Sequence, residues 1–455
     1  MLLNPQIQVN GAPTAPKAMV RNSDGLKEEE VKLHQVMNLL HSLGPFHGRG
    51  PVDRDDKKCS DNRYSTQEMR RAFLDGICYL CDINTMGGTV TAATLRKYYV
   101  NPTSDQLGPE NIRSILYIAA NETILPKVCS FVRWLLKFLG EITPNNRHLI
   151  AATILRKGIE LGSQRMGSYQ EKMRLHLNNY DDVYTWIRKI EREPDMYRLS
   201  GLCYEGRERQ LEAVKGVAME NKDIAELAHY IGRLGAHKYA VSMIVTAWMK
   251  VPVLRRIIEP KFLPSAEARP IELPPAAGDF QKTCKVVCKN QHLSAHKGRM
   301  LNIHLADRNF TSNEALEGGL ERLRNLTTRV HAELLIVDFF GRKKLEFADD
   351  DKYVGCSKPA CYFCYKWITL HPAGFVPPAT HNKVIPSCRG PDVDAGEDRK
   401  GGGAKVRSDL YARIVPKIIR DIEQQVNIEH VGNQARHQSS NGSTRAPSSI
   451  VTSML

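Results

Sequence analysis

The segment that decides the fold class reads Val330-His331-Ala332-Glu333-Leu334-Leu335-Ile336-Val337. Residues 355–364 then read Gly355-Cys356-Ser357-Lys358-Pro359-Ala360-Cys361-Tyr362-Phe363-Cys364. The pair is a His-x-Glu followed, about thirty residues later, by a Cys-x-x-Cys. Each half stands directly before an apolar run of helical character, so we expect two helices whose first turns lie close together.

These residue types are suited to zinc. A catalytic zinc site uses three protein ligands of the His and Cys type and leaves the fourth position open. Cys361 and Cys364 are three residues apart, so both sulfurs lie on one face of a first helical turn, where the positive helix end favours thiolates. Glu333, two residues after His331, can lie beside the metal without binding it and can transfer protons. A purely structural zinc site does not need that carboxylate.

The motifs resemble the cytidine-deaminase-like superfamily. They are closest to a sparsely characterised, mainly fungal branch with His-Ala-Glu, Ser-Lys-x-x-Cys-x-x-Cys and a later Thr-His-Gly; this chain has Thr380-His381-Asn382. The resemblance covers about residues 323–391. It implies zinc bound by His331, Cys361 and Cys364, Glu333 as the proton shuttle, and a layered α/β/α domain with a mixed five-stranded sheet.

Two positions depart from the family pattern. Ala360 stands where the superfamily usually has Pro before the first Cys, and Asn382 stands where the branch tends to have Gly. Neither change removes a predicted ligand.

The expected reaction is hydrolytic deamination of cytosine or adenine, in a nucleoside or a nucleic acid. The net charge of +14 is compatible with an anionic polymer but does not require one. One alternative is a catalytically inactive protein with the same fold, structural zinc and a binding role. Another is a zinc hydrolase that acts on a different amide-like bond.

Several side chains near the motifs allow two interpretations. Tyr362, Phe363 and His381 are candidate substrate contacts, but packing or local hydrogen bonds explain them equally simply. Cys356 is either a substitute ligand or a buried strand thiol. His371 is either a substrate contact or a structural residue. Cys78 and Cys81 form a second Cys-x-x-Cys, which we interpret as two thiols in a helix core.

The remainder of the chain suggests several units. Apolar residues recur at three- and four-residue steps in much of the first half, for example at Leu33, Val36, Met37 and Leu40. Ser65 and Glu68 form a predicted capping box. We therefore expect a flexible arm at 1–26, an all-helical domain at 27–258, a Pro-rich linker at 259–280, the zinc domain at 281–430 and a disordered tail at 431–455.

Composition excludes several classes of protein. The 42% hydrophobic and 25% charged residues are typical of a globular chain, so collagen-like, mostly disordered and disulfide-scaffold proteins are excluded. We expect no membrane span and no signal peptide, and hence a location in the cytoplasm or nucleus. The helical domain is a candidate surface for a protein partner.

Overall fold

The computed structural model describes residues 28–43, 64–100, 111–177, 185–206, 222–278, 283, 313–392 and 403–427. The predicted flexible arm and disordered tail lie outside these residues, so both stay predictions. Among the described residues, no helix combines the length and apolar character needed to cross a membrane.

The main sheet has four strands in the order β3-β2-β1-β6. β1 (Thr91–Tyr99) and β2 (Ile112–Ala120) pair antiparallel, with Thr91 opposite Ala120. β3 (Ile257–Phe262) adds parallel to β2, and the short β6 (Gly355–Cys356) adds antiparallel to β1. β4 (Arg269–Glu272) and β5 (Asn325–Thr328) form a separate two-stranded antiparallel sheet.

The prediction that residues 27–258 are all helical is wrong, because β1 and β2 lie within them. Residues 114–120 of β2 are buried without interruption. Leu116 and Ile118 face one apolar core, whereas Ile115, Tyr117 and Ala119 face the other. A strand covered on both faces shows no alternation of polar and apolar residues, so its apolar spacing also fits a helix.

The mixed α/β character is confirmed, and the sheet lies between two layers of helices. Both predicted domains contribute strands to it, and β3 begins just before the predicted linker and extends into it. The fifth strand stays a prediction: in the described residues after 356, β pairing is limited to isolated bridges, such as that of Ala360 with Thr380. Where one folding unit ends and the next begins also stays a prediction.

Twelve helices occur in the described part of the chain. They are α1 (Glu28–Ser42), α2 (Thr66–Cys81), α3 (Pro126–Gly140), α4 (Arg147–Leu161), α5 (Ser163–Leu177), α6 (Thr185–Arg192), α7 (Met196–Glu205), α8 (Lys222–Lys250), α9 (Asn313–Arg324), α10 (Ala332–Lys343), α11 (Tyr362–Leu370) and α12 (Gly403–Asn427). The capping box at the start of α2 is confirmed: the Ser65 side chain accepts from Glu68 N, and Glu68 accepts from Ser65 N.

The helices that bear the predicted site lie on one face of the sheet. α10 and α11 share a core with α1 and α12, and α10 packs on β1 and β2. On the opposite face, α2 packs with α8 and with other helices from residues 126–250. The predicted site therefore lies on a sheet whose central strands come from a distant part of the sequence.

Candidate metal centre and its surroundings

Two helix starts meet in the structure, as the motif spacing predicts. His331 is the N-cap residue of α10, and Cys361 is the N-cap residue of α11. Asn121, which directly follows β2, accepts a hydrogen bond from Ala332 N at 2.8 Å and so ties the start of α10 to the end of the sheet. The first turn of α11 is held by Tyr362 N, which donates to Lys383 O at 3.0 Å.

The three predicted ligands lie together with a fourth residue, Cys388. The ligand atoms of His331, Cys361, Cys364 and Cys388 all lie within 4.8 Å of one another. His331 Nδ1 is 3.6 Å from Cys361 Sγ and 3.3 Å from Cys364 Sγ. Cys364 Sγ is 3.7 Å from Cys388 Sγ. We call these four residues the thiol-imidazole cluster.

Cys388 is not among the predicted ligands. It lies 24 residues after Cys364 and belongs to no short repeat of Cys or His. Its position comes from an isolated parallel bridge with Arg329, in which Arg329 N donates to Ser387 O at 2.8 Å and Arg389 N donates to Arg329 O at 3.0 Å. The available signal was a further cysteine shortly after the Cys-x-x-Cys, but only the tertiary pairing places it next to His331.

The pKa values of His331 and Cys361 are shifted in opposite directions within the cluster. Burial by itself would lower the pKa of His331. The nearby sulfurs of Cys388 and Cys361 together outweigh this effect, and the pKa of His331 is raised well above its ordinary value. Burial would raise the pKa of Cys361, yet hydrogen bonds from Cys364 and Cys388 and the charge of His331 hold it well below its usual range. The cluster thus already favours a thiolate at Cys361, the form that binds metals.

Glu333 lies next to the cluster in the first turn of α10 and is only 4% exposed. Its Oε2 is 3.9 Å from Cys356 Sγ. Burial raises the pKa of Glu333, and the positive charge of His331 opposes that shift. A carboxyl group with a raised pKa takes up a proton more readily than an ordinary glutamate, as a proton carrier must.

The residues predicted to contact substrate have different surroundings. Tyr362 is buried, and its hydroxyl donates to Asp421 Oδ2 in α12 at 2.6 Å. Phe363 is fully buried and packs against Trp367. These contacts favour the core-packing interpretation, and a stacking role for either ring stays a prediction. His381 is half-buried, and burial lowers its pKa, while the charge of the nearby Cys361 opposes that shift.

The other cysteines and the histidine considered in the sequence lie outside the thiol-imidazole cluster. Cys356 lies on β6 beside Glu333 and is not part of the thiol-imidazole cluster. His371 ends α11, and its Nδ1 accepts from Ala373 N at 3.2 Å. Cys78 and Cys81 are buried thiols in α2, and Cys78 Sγ contacts Gly355 O at 3.5 Å. The described residues contain no second cluster of metal-binding type.

Both departures from the family pattern have a local explanation. Ala360 N donates a hydrogen bond to Ala379 O at 2.8 Å, which a proline at this position could not do. Asn382 has a φ of 53°, in the left-handed region that Gly adopts freely and Asn tolerates better than most residues.

A buried polar network supports the turn that leads to Cys361. Asp82, at the end of α2, accepts from Ser357 Oγ at 3.1 Å and lies 3.7 Å from Lys358 Nζ. Its carboxylate also lies 3.6 Å from Arg165 Nη1 in α5, and both of these side chains are fully buried. Thr89 completes the group by donating to Asp82 at 2.8 Å. We call these five residues the Asp82 network.

Comparison with known proteins agrees with the position of the site. No curated protein and no solved structure matches the chain significantly. Residues 330–392, which contain the whole thiol-imidazole cluster and Glu333, match one family model. That model is described as "OTT_1508_deam:-like deaminase", so this part of the chain is similar to a deaminase domain.

Proposed function

We propose that the protein is a zinc-dependent hydrolytic deaminase acting on cytosine or adenine in a nucleoside or a nucleic acid. The observation that carries this proposal is the position of Glu333 beside a cluster of one imidazole and several thiols, within the segment similar to a deaminase domain. His, Cys and Cys ligands together with a separate Glu are the parts that zinc deaminases use.

The donor set fits zinc. Thiolate sulfur and imidazole nitrogen are its usual protein ligands, and His331, Cys361 and Cys364 would hold the ion in this proposal. When bound, zinc would supply Lewis-acid activation of water. Cys361 is already biased toward the thiolate, because hydrogen bonds and His331 lower its pKa despite burial.

Glu333 would move the protons. Its carboxyl group is buried, so its raised pKa allows it to accept a proton from water and to deliver it to the ring and the departing amine. The candidate substrate contacts stay Tyr362, Phe363 and His381. Of these, His381 is half-buried, and the charges of Cys361 and His331 act on its pKa. A protein partner for the helical N-terminal part of the chain is a further part of this proposal.

The test is ammonia release from cytosine and adenine nucleosides and from single-stranded oligonucleotides, with products identified by mass spectrometry. The variant Glu333→Gln keeps the shape of the side chain but removes the proton carrier. We expect activity to fall about 100- to 10,000-fold, which is the usual contribution of general acid-base catalysis. Zinc content per chain should stay unchanged.

A matched control exists on the same helix. Asp338 of α10 bonds Arg342 at 2.7 Å, away from the cluster, so Asp338→Asn should leave ammonia release close to the wild-type rate. The proposal would be contradicted if wild-type protein with bound zinc released no ammonia from any of these substrates, or if Glu333→Gln retained full activity.

The second candidate is a catalytically inactive deaminase-like protein with a structural zinc ion. The position of Cys388 favours it, because four protein ligands are typical of structural zinc sites. The activity measurement with wild-type protein separates the two functions directly.

A further inference from the structure

We propose that Cys388 is a fourth protein ligand of the zinc, so that the resting site is closed by side chains of the chain itself. This inference rests on the zinc site of the proposed function and concerns the coordination position that a deaminase would have to leave open for water. Nothing in the sequence motif or in the family resemblance points to Cys388.

The distances support a tetrahedron. With zinc-sulfur bonds of about 2.3 Å and zinc-nitrogen bonds of about 2.0–2.1 Å, tetrahedral ligands are separated by about 3.8 Å for two sulfurs and about 3.6 Å for sulfur and nitrogen. Cys388 Sγ lies 3.7 Å from Cys364 Sγ. Cys361 Sγ lies 3.6 Å from His331 Nδ1, and Cys364 Sγ lies 3.3 Å from the same atom. Cys388 thus lies at a tetrahedral separation from Cys364, and its sulfur is within 4.8 Å of the ligand atoms of His331 and Cys361.

The backbone also fixes Cys388 at this position. Cys388 pairs with Arg329, two residues before His331, and its own N–H donates to Ile385 O at 3.0 Å. Cys364 belongs to the first turn of α11. Three separate parts of the chain therefore bring their donor atoms to one point, as ligands of a single ion require.

Proximity to other donor atoms, rather than burial alone, distinguishes Cys388 from an idle thiol. Cys388, Cys361 and Cys364 are all buried, whereas His331 is half-buried. Cys356 provides the contrast, because its sulfur is also close to Glu333 but lies outside the cluster. A buried sulfur within 4.8 Å of three other soft or borderline donors is placed for coordination, whereas Cys356 is not.

The functional consequence is specific. Cys388 and a solvent molecule cannot hold the same coordination position at once, so a four-ligand resting site is unreactive until Cys388 leaves it. Cys388 would then limit access to the metal, and its removal would open the site without removing His331, Cys361 or Cys364.

The test uses full-length protein in which Co²⁺ replaces zinc, because the sulfur-to-cobalt charge-transfer absorption grows with the number of thiolate ligands. We expect wild-type protein to absorb as a three-thiolate site and Cys388→Ala to lose about one third of that intensity, in proportion to the thiolates lost from a Cys₃His site. Cys356→Ala, the matched control, should keep the full intensity. Cobalt content should stay at one per chain.

A second measurement on the wild-type chain does not depend on how well the variant folds. X-ray absorption at the zinc edge should fit three sulfurs and one nitrogen. Two sulfurs with an additional oxygen would overturn the proposal, as would a Cys388→Ala spectrum equal to that of wild type.

Azide then tests whether the position is closed. We expect azide to leave the wild-type cobalt spectrum unchanged and to shift the spectrum of Cys388→Ala; a shift in the wild-type protein would contradict a closed site. Ammonia release is measured in parallel. Loss of about one third of the cobalt band in Cys388→Ala, without ammonia release from either protein, would support this inference and contradict the proposed deaminase. Ammonia release together with an unchanged cobalt band in Cys388→Ala would support the proposed deaminase and contradict this inference.

Discussion

The thiol-imidazole cluster and the Asp82 network are two buried polar centres that the same loop joins, yet they are stabilised in different ways. In the Asp82 network the carboxylate of Asp82 faces the cations Arg165 and Lys358 and accepts from the hydroxyls of Thr89 and Ser357. In the cluster, one imidazole and three thiols contact mainly each other. Thiols are weak donors and weak acceptors, so the contacts between sulfurs contribute little by themselves, and the attraction within the cluster comes from the thiolate-favouring Cys361 beside His331.

The difference shows which centre needs a component from outside the chain. The Asp82 network places one carboxylate against two cations and two hydroxyl donors, so its charge is compensated by side chains of the protein itself. The cluster gathers three thiols that become anionic when they lose protons, and a divalent cation would compensate that charge. The two centres should therefore respond differently to metal, to substitution and to acid.

Metal removal should have the largest effect, and it should act on the cluster. At free zinc about 1,000-fold above the dissociation constant, binding to the folded state alone contributes about 4 kcal/mol to the free energy of unfolding. We expect a zinc chelator to lower the free energy of unfolding measured in urea by about that amount. Added zinc should restore it.

A control variant separates the two centres in this experiment. In Cys364→Ser the chelator should have much less effect, because the thiolate ligand at the centre of the cluster is missing. An equal loss of stability in wild type and Cys364→Ser would contradict the assignment of the stabilising metal to this site.

Substitution of Arg165 should have the next largest effect, and it should act on the Asp82 network. The guanidinium of Arg165 is fully buried and donates to Tyr79 O at 3.2 Å, to Asp82 O and to Tyr169 Oη at 3.0 Å. Removing one partner of a buried ion pair costs about 3–5 kcal/mol. We expect Arg165→Met to cost about 3 kcal/mol, at the low end of that range, because Lys358 still faces Asp82.

The matched control is Arg174→Met, which changes an exposed arginine of the same helix. It should change the urea midpoint by much less than Arg165→Met. The loss of stability in Arg165→Met should also persist at saturating zinc, because zinc would bind the thiol-imidazole cluster and not the Asp82 network. Full recovery of stability by added zinc would show that Arg165 acts through the cluster instead.

Local signals made part of this structure predictable. The start of α10 at His331, the start of α11 at Cys361 and the capping box of Ser65 each depend on a few neighbouring residues. Residue type and spacing within one helical turn determine such features. The motif also gave three members of the cluster, because they occur in a recognisable order.

The remaining features depend on partners that are far away in sequence. β2 was predicted as a helix because its burial on both faces removes the two-residue period. Cys388 reaches the cluster only through its pairing with Arg329. Arg165 and Asp82 are 83 residues apart, and nothing in their local sequence marks them as partners. Each of these features follows from the tertiary fold and not from a local pattern.

Acid should give the smallest of the three effects and should extend the comparison to a neighbour of the Asp82 network. His237 of α8 packs edge-on against Tyr79, with ring centroids 5.0 Å apart. Burial, followed by the charge of Arg165, lowers the pKa of His237 to about 3. The unfolded chain takes up this proton below a pH of about 6.5, whereas the folded protein stays neutral at this residue until pH approaches its lower pKa. The contribution of His237 to stability is therefore complete above a pH of about 6.5 and is lost as the pH falls toward 3.

The measurement is the difference between wild type and His237→Phe in the free energy of unfolding from pH 6 to pH 4. Below the unfolded pKa, one such histidine contributes about 1.4 kcal/mol per pH unit, so the slope should become shallower by about that amount. Because protonation of the zinc ligands affects both proteins equally, it cancels in this difference. The exposed His148 provides the control, and His148→Phe should leave the slope unchanged. Equal slopes in wild type and His237→Phe would mean that His237 is not buried in its neutral form, and that acid acts on this protein only through the cluster and other groups.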